Sequence, residues 1–298
     1  MPGSSALKPP YAGMTARRRG GDWLQGAIGI GVLLLVFEGW MRGAIPTADD
    51  FLSEEFLSFI KSIHHPFQLH RKLWEWTFIV HHLTKERKLQ PGMRGLAFGV
   101  GQEPLPALFA SMGCEIVATD APGDVVNSDW AKANQHSDDA SVLFKPSIID
   151  SETFQRRVTF EFCDMNFIPR RLRGFDFCWS SCCFEHLGDL ERGLQFVINS
   201  LDTRQPGGIA VHTTEFNLSS NDDTLAEGPT VIYRERDIET LFQRVRHCGH
   251  KVRPLSITKG TTAVDQYVDA LPYRHDLHLK INLHGYNATS LGIVVEKV

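Results

Sequence analysis

Between Arg94 and Asp120 the pattern of apolar and polar positions changes period twice. Leu96 to Phe98 is a short unbroken apolar run, whereas Leu105, Leu108, Phe109 and Met112 recur at i, i+3, i+4 and i+7. Ile116 to Ala118 is unbroken again. This order predicts a strand, an amphipathic helix and a second strand, and the lack of alternation predicts strands covered on both faces. Gly99-Val100-Gly101 turns the chain between the first two elements. Pro104 and Pro106 suit a first helical turn, where a missing N–H costs nothing. Gly113 falls where a helix C-terminus takes a residue at positive φ.

The alternation continues downstream. Val158 to Cys163, Phe175 to Trp179 and Ile209 to Thr213 read as strands. Leu190, Leu194, Val197, Ile198 and Leu201 form one helical stripe, and Ile238, Leu241, Phe242 and Val245 another. A short helix is expected near Trp130. Val252 to Ile257 and Ser290 to Val295 are the last two strands, with no helix evident between them, so an antiparallel final pair is expected. Strands alternating with helices predict an α/β, Rossmann-like, mostly parallel sheet.

Upstream, Phe51, Phe56, Leu57 and Ile60 mark one helix, and Leu73, Trp74, Trp76, Ile79, Val80 and Leu83 a second. Pro91-Gly92 breaks the pattern. Three parts are therefore expected: a disordered tail over residues 1–21, rich in Gly, Pro, Ser and Arg; an N-terminal helical segment over 22–90; and a nucleoside-binding domain over 91–298. Within the segment, Ala27 to Phe37 is nearly unbroken apolar sequence behind Arg17, Arg18 and Arg19. That order resembles the charged and apolar regions of a signal peptide, but the run is short for a span of about 20 residues. Two uses stay open for residues 23–40: a helix packed on the core or on a partner chain, and peripheral membrane contact.

Composition narrows the class. With 42% hydrophobic and 22% charged residues over 298 positions, the chain is an ordinary globular protein with room for a large core. A net charge of −4, with no Lys/Arg cluster beyond Arg17 to Arg19, argues against a nucleic-acid partner. Cys178, Cys182 and Cys183 lack paired C-x-x-C spacing, and several of the six cysteines fall in predicted buried strands. A reducing, cytoplasmic setting is expected. No feature of the sequence sets an oligomeric state.

The first strand–helix–strand unit suits a nucleoside. Small residues at the turn let a ligand approach the backbone, and the following helix presents unpaired N–H groups. Asp120 closes the second strand 19 residues after Gly101, where an acid accepts hydrogen bonds from both hydroxyls of a ribose. The third glycine of the dinucleotide fingerprint is absent, because Pro104 stands in its place.

Four segments, FGVGQEP at Phe98 to Pro104, VATD ending at Asp120, FEFCDM ending at Met165 and FDFCWSSCCFEHL at Phe175 to Leu187, together with Pro206-Gly207-Gly208, resemble the class I S-adenosylmethionine (SAM) dependent methyltransferases. The resemblance runs from about Gly92 to Val298 and is nearest to uncharacterised bacterial members. It implies a seven-stranded Rossmann-like sheet with an antiparallel last strand, and SAM as cofactor. It also implies that Gly99 and Gly101, in a turn with Phe98 and Val100, line the methionine part. Asp120 would hold the ribose, and Asp164 and Met165 would border the adenine. Ser180, at the end of the fourth strand, completes the expected cofactor set. The chain departs from the family at Ala97, where an acid is frequent, and at Glu103, where many members have glycine.

Methyl transfer from a sulfonium is an in-line displacement that gains chiefly from alignment, with a base for an oxygen or nitrogen acceptor. His186, His212 and Glu215 follow or end strands at their carboxyl ends and are the candidate catalytic residues. His212 points into the sheet if the strand continues through it. Asn217 to Arg236 and Thr261 to Asn287 are long enough to shape an acceptor pocket, and Tyr273 to His278 fits a small polar molecule or a glycan. No metal is expected: His275, Asp276 and His278 are three local ligands without a fourth, and the upstream histidines lack an acid or Cys at ligand spacing. An NAD(P)-dependent Rossmann oxidoreductase would share the first unit but calls for a third glycine at Pro104. A non-catalytic SAM-fold subunit would bind SAM without turnover.

Overall fold

The computed structural model describes residues 43–123, 137, 139–254 and 256–298. The expected tail, the apolar run Ala27 to Phe37 and the helix near Trp130 lie outside the described residues. Among the described residues, no helix is long and apolar enough to cross a membrane.

The chain forms helices α1 (Glu54–Ser62), α2 (Arg71–Lys85), α3 (Leu105–Ser111), α4 (Ser151–Arg157), α5 (Leu190–Ser200), α6 (Glu235–His247) and the four-residue α7 (Ala263–Gln266). Strands are β1 (Leu69–His70), β2 (Arg94–Phe98), β3 (Glu115–Asp120), β4 (Val158–Phe162), β5 (Phe175–Ser181), β6 (Arg204–Asn217), β7 (Lys251–Val252), β8 (Leu277–His278), β9 (Lys280–Leu283) and β10 (Tyr286–Glu296). The main sheet runs β4-β3-β2-β5-β6-β10-β7, with β9 also pairing β10. Strands β4 to β6 pair in parallel, while β10 is antiparallel to both β6 and β7. This is the expected α/β, Rossmann-like, mostly parallel sheet with antiparallel pairing at its end, a path of seven strands to which β9 adds an eighth. A separate two-stranded pair joins β1 to β8.

Alternate residues of the central strands face opposite cores. Ala97, Phe177, Trp179, Ile209 and Val211 face α1 to α4, whereas Leu96, Phe98, Cys178 and Ala210 face α5 and α6. The runs Leu96–Phe98, Phe177–Trp179 and Ile209–Val211 are therefore apolar without alternation. The boundary expected at Pro91 has no counterpart in this packing. Phe51, Phe56, Trp74, Phe78 and Ile79 share one core with Phe177 and Trp179, and the described residues on both sides of Pro91 belong to a single compact unit. Helix α2 lies directly on β10: a Cβ at Gly292 would sit 2.2 Å from the Phe78 ring, so only glycine allows that approach.

The end of the chain differs from expectation. The strand expected over Val252 to Ile257 is only two residues long, and α7, β8 and β9 fill the interval before β10. Pro254 withdraws an N–H that a continuing strand needs.

Candidate functional site

Strand order reverses between β2 and β5, so the loops that leave their carboxyl ends part there and open a crevice. After β2, Gly99 and Gly101 adopt φ of +57° and +50°, in the left-handed region. A Cβ at Gly99 would lie 2.8 Å from Cys183 Cβ and Sγ, because the loop after β5 crosses directly over the turn. A cleft of about 540 Å³ lies beside this crossing, within the range of small-molecule sites. Gly99, Val100 and Gly101 line it on one side, and Arg71, Glu215 and Tyr273 are among the groups across from them.

Asp120 closes β3 beside the same turn and is 2% exposed. Its Oδ2 accepts the N–H of Gly101 at 3.0 Å and of Ser137 at 3.1 Å, and its Oδ1 accepts the Ala121 N–H at 2.8 Å. The Ser137 hydroxyl donates to the Gly101 carbonyl, so the carboxylate and the serine clamp the turn together. Met165 Sδ lies 3.6 Å from the place a Gly99 Cβ would take. Two residues expected at the cofactor, Phe98 and Ser180, turn their side chains into the core instead. The Phe98 ring packs edge-on against Phe196 at 5.1 Å, in the core under α5. The Ser180 hydroxyl pairs with His212 Nδ1 at 2.7 Å, in the same buried layer. Asp164 caps its own turn, accepting the Asn166 N–H at 2.8 Å.

The catalytic candidates separate by strand parity. His212 is fully buried on the α5 side, with Nε2 3.2 Å from the Ser200 hydroxyl. Burial and the Arg204 charge hold its imidazole down at about 3. It braces α5 against the sheet and does not reach the cleft, which corrects the expectation of a base there. Glu215, three residues on, falls on the opposite face and lines the cleft, paired with Arg71 at 2.5 Å. Burial raises its carboxyl while Arg71 opposes the rise. His186 also lines the cleft. Its Nδ1 lies 2.8 Å from the Pro229 carbonyl, so Nδ1 carries the proton and Nε2 the lone pair. Burial lowers His186 to about 4, against the pull of the Pro229 carbonyl.

Further groups converge at the site, the first of them, Glu185, already a candidate from its place beside His186 after the fourth strand. Glu185 is 0% exposed; Thr214 donates to its Oε2 at 3.0 Å, and burial pushes its carboxyl up to about 7. Glu185 Oε1 and Glu215 Oε2 have no hydrogen-bond partner among the described residues, though His186 Nε2 stands 3.9 Å from the former. Glu103, at the former glycine position, accepts the Trp179 indole N–H at 2.5 Å, and burial pushes it up to about 8. Beneath the cleft, Glu75 of α2 accepts from Lys72 Nζ at 2.6 Å, Ser181 Oγ at 3.1 Å and Ser290 Oγ at 2.5 Å. Burial alone would raise Glu75, but the Lys72 and Arg71 charges outweigh it and hold the carboxyl at about 2. The ion pair thus ties α2 to β5 and β10 and presents Arg71 to the cleft. Its signal in the sequence was R-K-x-x-E at the start of the helix, an i,i+3 pair on one face.

Both long insertions reach the cleft. Thr230 and Pro229 hold His186, and Tyr273, His275, His278, Ile281 and Leu283 line the far side. Among the described residues, two groups offer ligand atoms within 4.8 Å of one another: Cys182, Glu185 and Glu215, and His70, His275 and His278. Arg71 already balances Glu215 in the first. The second includes His70 in place of the Asp276 named from the sequence, because β1 pairs with β8 and sets His70 opposite His278.

No family model matches the chain, and no curated protein matches it. Solved structures do. A SAM-dependent methyltransferase from Aquifex aeolicus aligns at 18% identity over 81% of this chain and 98% of its own, with a TM-score of 0.41. A magnesium protoporphyrin IX methyltransferase from Synechocystis PCC 6803 with bound SAH aligns at 12% identity over 82% and 96%, with a TM-score of 0.41. The [4+2]-cyclase SpnF aligns at 18% identity over 72% and 77%, with a TM-score of 0.42. The Rossmann-like fold itself is read from the strand order of this chain.

Proposed function

We propose that the chain is a SAM-dependent methyltransferase that transfers the methyl group to an oxygen or nitrogen of a small polar molecule or glycan. The observation that supports this most is the Asp120–Gly101 junction: an acid ending β3, bonded to a left-handed glycine turn after β2, at the reversal point of the sheet. These residues fit SAM, with Asp120 accepting from ribose hydroxyls, the glycine turn admitting the methionine part, and Met165 beside it. When bound, SAM supplies the electrophilic methyl group. Phe98 and Ser180 would contribute backbone or no contact, since their side chains are engaged elsewhere, and Asp164 keeps Oδ2 for the adenine side.

On the acceptor side, Glu185 and Glu215 line the cleft and each has one buried carboxylate oxygen without a donor among the described residues, which suits a ligand that brings a hydroxyl or amino N–H group. Glu185, held near neutrality, is the best-matched base for such a group. His186 stays neutral and fixed by Pro229, where it orients the acceptor or takes a proton in passing. Glu215 and Arg71 together act as a hydrogen-bonding pair for a polar substituent. The reading is tested by incubating purified protein and SAM with a panel of hydroxylated and amino compounds. Acceptor-dependent SAH formation supports it. SAH formation by no member of the panel, with SAM bound, favours a non-catalytic SAM-binding subunit.

A further inference from the structure

We infer that His70, His275 and His278 form a binding site for a borderline divalent cation, Zn²⁺ or a similar ion such as Co²⁺ or Ni²⁺. Each offers one ring nitrogen, and these nitrogens lie within 4.8 Å of one another. The ring centroids of His70–His278 and His275–His278 are each 4.6 Å apart. Three imidazoles and no carboxylate in the set select such ions over Mg²⁺ or Ca²⁺, which take oxygen ligands.

The chain holds these residues together in ways that a chance cluster of surface histidines lacks. Parallel pairing of β1 with β8 brings His70 to His278 across more than 200 positions of sequence. His278 is 5% exposed, and its Nδ1 lies 2.7 Å from Asp269 Oδ2. A histidine that gives one N–H to a carboxylate directs its other nitrogen's lone pair outward, the arrangement that orients metal-bound imidazoles. The same carboxylate accepts the N–H of Arg274 and His275 at 3.2 Å, which fixes the loop that carries the third ring. His275 adopts φ +61°, a costly angle for a non-glycine residue, and this angle holds its exposed ring beside the other two.

The Lys72 N–H lies 3.1 Å from His70 Nδ1, marking that nitrogen as the one with the lone pair. A cation takes that lone pair, or takes Nε2 after the proton shifts to Nδ1; either way it competes with the cap of α2. Three protein ligands leave a position for water or for an oxygen or nitrogen ligand from the adjoining cleft, as in catalytic rather than structural zinc sites.

The inference does not rest on methyl transfer and is tested without SAM. Full-length protein, stripped with a chelator and dialysed, is titrated with Co²⁺ and followed by its visible d–d absorption and by calorimetry. One equivalent is expected to bind, Zn²⁺ is expected to displace it, and His275→Asn is expected to weaken binding by at least about tenfold, on the scale of perturbed metal sites. Asn tolerates the left-handed angle and His275 is exposed, so this variant keeps the fold, which circular dichroism checks. His278→Ala is expected to abolish the absorption. Absence of a saturable Co²⁺ signal in the wild type, or equal affinity in His275→Asn, overturns the site.

Discussion

Asp120 Oδ2 accepts the Gly101 N–H at 3.0 Å, tying the end of β3 to the turn that leaves β2. The carboxylate therefore does two things: it sets the shape of the turn, and it stands where a ribose would donate to it. Asp120→Asn preserves size and one acceptor oxygen but removes the charge. It should weaken SAM binding by about 1–3 kcal/mol, the range for hydrogen bonds to a charged group. Calorimetry on the variant, with a thermal melt to separate loss of fold, checks this. Unchanged affinity in a folded variant would remove Asp120 from the site.

Glu185 and His186 make opposite statements about pH. A base that titrates at about 7 must lose its proton to act, so turnover should rise with pH through that value. Glu185→Gln should remove this limb and lower turnover by about 10²–10⁴-fold. His186, at about 4, is already neutral throughout that window, so His186→Ala should leave the limb in place. A limb that survives Glu185→Gln and disappears in His186→Ala would reverse the assignment.

Glu103 gives a stability test that needs no ligand. Its folded value of about 8 lies above the ordinary carboxyl value of 4.5, so the folded state binds more protons between the two. Its stabilising contribution is fully present below 4.5 and lost as pH rises to about 8. Glu103→Gln keeps an acceptor for the Trp179 indole and cannot ionise. Its melting temperature should match the wild type near pH 4.5 and exceed it increasingly toward pH 8. A difference that is constant across that range contradicts the burial of an ionisable Glu103.

Glu75 joins α2 to two strands, and its removal should be felt across the cleft. Glu75→Gln leaves the Lys72 charge without its partner. Breaking a buried pair costs about 3–5 kcal/mol, and the lower end applies because the Lys72 side chain is 35% exposed. Chemical denaturation showing a loss below about 1 kcal/mol would mean that the pair does not anchor the helix.

Much of this architecture was legible in the sequence because it follows from local pattern. Unbroken apolar runs marked the covered strands, and the glycine turn, Pro104 and Asp120 marked the crevice. What escaped depended on parity and on long-range pairing. His212 and Glu215 stand three apart on one strand, so only one of them can face the cleft, and their side was not fixed until the strand's extent to Asn217 was known. Ser180 shares the buried parity with His212. His70 joined the histidine cluster only through β1–β8 pairing, which no local signal announces. Arg71 and Lys72 carried no expectation, and they reach the cleft because Glu75 joins α2 to β5 and β10.

The central claim is that the crevice between the Gly99–Gly101 turn and Asp120 takes SAM. Titration calorimetry of the full-length protein with SAM, repeated with SAH, tests it most directly. One saturable site is expected for both ligands, with a melting temperature that rises with ligand concentration as binding to the folded state requires. Neither heat of binding nor a shift in melting temperature with either ligand, in protein shown to be folded, would contradict it.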